Sequence, residues 1–159
     1  MTDREFYLAR VKAEFPGFQN VLQALPKDKL DYKPHDRSPS AAQILSTLTN
    51  EYKVSCELLE TGAGEWKATT PAGYDEMVGE FDKSWKTMED RVARLDEAGW
   101  TKMGKFSSGG KAFPEQPIGQ FLWFVLFDAI HHRGQLSTYI RPMGGQVPSI
   151  YGPSGDSRR

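Results

Sequence analysis

The sequence predicts an all-α fold, a four-helix bundle, on three observations. Four segments of helical length carry apolar residues every three to four positions. Glycine or a serine–proline cluster punctuates their ends, and the connectors between them are short or medium in length. At 159 residues the chain reads as a single domain, 1–159, large enough to bury a core without disulfides. The first helix is expected over residues 3–25, with Phe6, Val11, Phe15, Phe18, Val21 and Leu25 on its apolar stripe. Pro16-Gly17 falls inside it, and a proline there is expected to kink or split the helix. A connector with prolines at each end, "PKDKLDYKPHDR", comes next.

The second helix is announced by "SPSAAQ": Ser38 is read as the N-cap and Pro39 as the first helical residue. Ala41, Leu45, Leu48, Tyr52, Cys56 and Leu59 form its stripe, and Gly62 supplies a C-cap glycine. Residues 62–73 read as a loop with one buried tryptophan, Trp66. A third helix, 74–98, turns Met77, Phe81, Trp85, Met88 and Val92 inward and presents a charged outer face.

The long segment 101–117, "TKMGKFSSGGKAFPEQP", reads as a glycine-rich solvated loop or a small hairpin around Ser108-Gly109-Gly110, and it matches no phosphate-binding motif. The last helix, 118–143, is apolar enough through residue 130 to be central. A breaker-rich tail closes the chain, with Val147, Ile150 and Tyr151 as anchors.

Formal charge is −1, which gives no global electrostatic case for nucleic acid or anionic membrane. Lys102, Lys105 and Lys111 are the one local basic hint, and the terminal Arg158-Arg159 is too short a tail to alter this. A single cysteine, Cys56, excludes an internal disulfide and reads as a core residue. The longest apolar run, FLWFVLF, is too short to span a bilayer, and the N-terminus lacks the apolar stretch of a signal peptide. A cytoplasmic location is expected.

The chemistry lies in "DAIHHRGQ". Neighbouring helical residues sit about 100° apart, so His131 and His132 cannot share a site, whereas Asp128 and His132, at i and i+4, lie on one face. Such a pair can bind a divalent metal with help from a facing helix, act as an acid–base pair, or form a structural hydrogen bond in a polar core layer. The second helix offers Thr47 and Glu51, which share a face with Ile44, Val54 and Leu58. Glu51 is a candidate third ligand or general base, or simply a solvent-facing glutamate. His35 is read as exposed or capping. Arg133 and Arg141 are expected to pair with acids on other helices or another subunit, and Gly134 to allow close helix approach.

"DAIHHRGQLSTYIRPMGGQVPSIYGPSGD", with "LDYKPHDRSPSAAQIL" upstream, closely resembles the DinB-like superfamily, which includes the YfiT-type metal-dependent hydrolases. The resemblance spans nearly the whole chain. It implies a four-helix bundle, commonly homodimeric, with a divalent metal (zinc, nickel or manganese) held by three histidines. One of those lies on the second helix and two lie on the last helix at i,i+4. Carried onto this sequence, the second-helix position falls on or near Thr47 and the other two on Asp128 and His132, so one histidine of three is present. The resemblance therefore implies either an oxygen-rich site or a vestigial one. The first corresponds to a metal-dependent hydrolase or thiol transferase acting on a small molecule, with His132, Asp128 and Glu51 as catalytic or ligating residues. The second corresponds to a non-catalytic dimeric bundle that binds a small molecule, with no functional metal.

Overall fold

The computed structural model describes residues 1–157, so Arg158 and Arg159 lie outside the described residues. Helix α1 runs Asp3–Gln23 and opens on a capping box, in which Thr2 accepts from the Glu5 N–H and the Glu5 carboxylate accepts from the Thr2 N–H. Pro16 does not split it. The helix is continuous through the proline, because fully buried Phe18, Val21 and Leu22 hold its second half in the core and outweigh one lost backbone hydrogen bond.

After a single 3-10 turn (Lys27–Lys29), α2 covers Ala41–Thr61. Its cap is Ser40, not Ser38. Ser40 and Gln43 bond reciprocally, so the capping box overrides the proline as start signal. Gly62 ends α2 at φ 80°, a left-handed position that suits glycine.

The connectors depart from a pure all-α fold. Strand β1 (Ala63–Trp66) leaves α2 directly. Helix α3 spans Tyr74–Arg94 and ends earlier than its periodicity suggests, at extended Leu95. A separate short helix α4 (Glu97–Thr101) then starts, with the Asp96 carboxylate accepting from the Gly99 N–H at 2.7 Å. The supposed loop before the last helix contains β2 (Met103–Ser108), β3 (Lys111–Ala112) and β4 (Gln116–Pro117). Strand β2 pairs in parallel with β1, Ala63 opposite Lys105 and Trp66 opposite Ser108. Its last two residues pair antiparallel with β3 through a turn in which Gly109 and Gly110 both have positive φ, and its first two pair with β4. The fold is therefore mostly helical with a small mixed sheet.

Helix α5 (Ile118–Ile140) packs against α1 and α2, and the core is aromatic at its centre: Trp85 lies 4.4 Å from Tyr52 and 5.0 Å from Phe18 between ring centroids. Helix α5 is not enclosed on all sides as its composition suggests. Phe124 and Phe127 are 59% and 62% exposed. Gly134 faces open space, with nothing within 4 Å of an added Cβ, so it mediates no helix approach within the chain. No helix among the described residues is long and apolar enough to cross a membrane.

Candidate metal centre

The i,i+4 geometry of α5 places His132 Nε2 3.7 Å from Asp128 Oδ2. Helix α2 brings Glu51 to the same point, with Oε1 3.7 Å from His132 Nε2. One ligand atom from each residue lies within 4.8 Å of the other two. Glu51 is not a solvent-facing glutamate. It is 5% exposed, and its Oε2 finds no hydrogen-bond partner among the described residues.

That arrangement could hold a cation. With Gln135 Oε1 accepting from His132 Nδ1–H at 2.9 Å, the Nε2 lone pair is turned toward the two carboxylates. Three acceptors then face one another with no donor of the described residues between them, and a metal ion, a proton or a donor from a bound molecule relieves this. Burial pushes the Glu51 carboxyl well above the ordinary carboxylate range, and the adjoining Asp128 carboxylate, as acceptor and as like charge, pushes it the same way.

The centre forms the floor of a cavity of about 370 Å³, within the range of small-molecule sites. Trp66 from β1, Phe106 from β2, Phe113 after β3, and Phe121 and Phe124 from α5 wall it. The sheet, of which the sequence suggested only the hairpin, thus contributes part of the aromatic wall. Thr47 lines the cavity one turn before Glu51, outside the group of three. His131 is exposed, and His35 accepts from the Arg37 N–H in its turn, so neither joins the site. Cys56 lies outside the cavity lining, its thiol donating to the Ser84 carbonyl and pushed up by burial, which suits an inert core residue.

The last helix also builds a second polar cluster, which the sequence only half announces. Arg133 donates to Glu14 Oε2 of α1 at 2.8 Å, both side chains being buried. The Tyr151 hydroxyl, within 2.6 Å of Arg133 Nη2, donates to the same oxygen at 2.7 Å. The sequence gives Glu14 only a faint signal: it is a glutamate on the buried face of α1, three residues after Val11 and four before Phe18.

The DinB family profile matches residues 7–157. The chain belongs to the DinB family. Among solved structures it is similar to a DinB-like protein of Bacillus cereus (TM-score 0.72, 18% identity, 92% of this chain and 97% of that one). It is also similar to a DinB-like protein of Bacillus subtilis (TM-score 0.67, 16% identity, 96% and 99%). A mycothiol-dependent maleylpyruvate isomerase shares the fold more distantly (TM-score 0.59, 10% identity), with 92% of this chain aligned to 64% of that one. At these identities the likeness is one of fold alone. No protein of curated function matches. The candidate centre of this DinB chain is built of two carboxylates and a single imidazole.

Proposed function

We propose that this DinB-family protein holds a divalent cation between Glu51, Asp128 and His132 and acts, as a metal-dependent hydrolase or thiol transferase, on a small molecule seated in the aromatic cavity. The observation that carries this is the buried, unpartnered Glu51 carboxyl facing Asp128 and His132. Two carboxylates balance a divalent charge, and an oxygen-rich donor set favours manganese over a tight zinc or nickel centre. When bound, the cation supplies Lewis-acid chemistry that acidifies a water or a thiol. Gln135 fixes the His132 ring, and the aromatic wall holds the apolar body of the substrate and excludes water. The thiol-transfer arm takes its support from the fold shared with an isomerase described as mycothiol-dependent.

A second reading has an observation of its own. A proton held between Glu51 and Asp128 satisfies the same groups, in keeping with the raised Glu51 carboxyl, and makes the protein a non-catalytic binder with a vestigial metal site. Elemental analysis of untagged protein decides between them. About one metal per chain, lost in Glu51→Gln and His132→Ala, is expected. No metal after incubation with manganese, zinc and nickel sinks the enzyme reading.

We further propose a homodimer, supported by the exposed Phe6 and Phe127, which lie outside the cavity, with Trp123 stacked on Phe127 at 5.5 Å. Light scattering of Phe127→Glu tests it: a monomer is expected, and an unchanged mass removes this face from any interface.

A further inference from the structure

The cavity has a charge signature that does not depend on a metal. Glu51 and Asp128 line its floor, and no lysine or arginine among the described residues lines it. Glu51, whose Oε2 is buried and unpartnered, is part of that lining, so this carboxyl has neither a donor nor a lysine or arginine charge beside it among the described residues. Above it stand Trp66, Phe106, Phe113, Phe121 and Phe124. Aromatic faces carry negative potential and attract cations, tryptophan most strongly, and this attraction grows where water is excluded. An organic anion entering here meets two acids and several aromatic rings. A neutral molecule gains the apolar wall and, through a hydroxyl, one donor bond, but no charge attraction.

We propose that the metal-free cavity is a site for small organic cations, protonated amines or quaternary ammonium ions with an apolar body, whose charge lies over Glu51 and Asp128 and whose body lies against the aromatic wall. The ammonium N–H groups of a protonated amine supply the donors that the Glu51 carboxyl lacks. The volume of about 370 Å³ accommodates a phenylalkyl body. This ligand and a divalent ion use the same two carboxylates, so each excludes the other. The inference goes beyond the metal reading and stands without it.

Calorimetry on chelator-dialysed protein with phenylbutylamine, and with the alcohol and carboxylate of the same skeleton, tests it. The amine is expected to bind about tenfold or more tighter than the alcohol, with the carboxylate weakest. Asp128→Asn, checked for folding by circular dichroism, should cut the amine's advantage over the alcohol, and Asp128→Asn with Glu51→Gln should remove it. Trp66→Leu should weaken both. Equal affinities for amine and alcohol in the unaltered protein overturn the proposal, as does an amine preference that survives the double variant. Manganese should displace the amine. A protein that binds the amine but no manganese upholds this inference and rejects the metal-dependent reading.

Discussion

Helix α5 carries two polar clusters on adjacent residues, and they are opposites. Arg133 turns into α1 and finds buried Glu14, with Tyr151 donating to the same carboxylate oxygen. His132, one residue earlier, turns toward α2 and finds buried Glu51 and half-exposed Asp128. In the first cluster every charge has an in-chain counterpart, and the guanidinium also lies 4.6 Å from the Phe18 ring centroid. In the second, two acids and an imidazole face each other beside a cavity. A buried carboxylate with its own arginine is part of the architecture. One without a partner is open to a proton, a cation or a ligand from outside.

The contrast is sharpest in stability. Arg133→Met leaves Glu14 buried without its counter-charge and should cost about 3–5 kcal/mol in urea unfolding. His132→Ala, which removes no counter-charge, should cost far less. If the two variants lose the same stability, the distinction between a closed and an open cluster fails.

Next in size is the effect of the residue that aims the imidazole. Gln135→Leu removes the partner of His132 Nδ1 and should weaken metal affinity by about 10–100-fold with little change in melting temperature. Unchanged affinity would mean that the His132 ring is oriented by packing alone.

The two clusters should also respond to pH with opposite sign. Burial pushes the Glu14 carboxyl up, but hydrogen bonds from Tyr151 and Arg133 and the charges of Arg133 and Arg10 outweigh it, so it titrates below its ordinary 4.5. The folded state then binds fewer protons than the unfolded one. Its contribution is complete above about pH 4.5 and is lost as pH falls through the depressed folded value. Glu51 titrates well above 4.5, the metal-free folded state binds more protons, and stability falls as pH rises from there toward the raised folded value. Unfolding measured against pH should lose the first slope in Glu14→Gln and the second in Glu51→Gln. A Glu51→Gln variant no more stable than the parent at neutral pH contradicts the open-cluster description.

The smallest effect concerns the outer face of α5. Gly134→Ala meets nothing within 4 Å and should stabilise the chain by about 0.5–1 kcal/mol through helix propensity. A loss would show that Gly134 itself packs against another molecule, whereas the expected gain confines the contact of the proposed homodimer to the part of α5 around Trp123 and Phe127.

Much of this was legible in the sequence where the physics is local. The stripes of α2 and α3, the Gly62 cap, and the shared face of Asp128 and His132 follow from helical periodicity and backbone chirality. Cap placement and the passage through Pro16 were not legible. There a reciprocal capping box and a buried second half of α1 outweigh the proline. The hairpin of β2 and β3 around Gly109-Gly110 was legible from its glycines, but the rest of the sheet was missed, because its strands are two to six residues long and its parallel pair joins β1 to β2 across the whole of α3.

The sequence by itself therefore determined that the chain is a helical bundle with an acid and a histidine one turn apart on its last helix. Only the tertiary structure decided that Glu51 is the third member, that it is buried without a partner, and that a small sheet walls the cavity above it. Those facts depend on which residues of distant elements meet. Packing decides that, and no periodicity within a single helix encodes it.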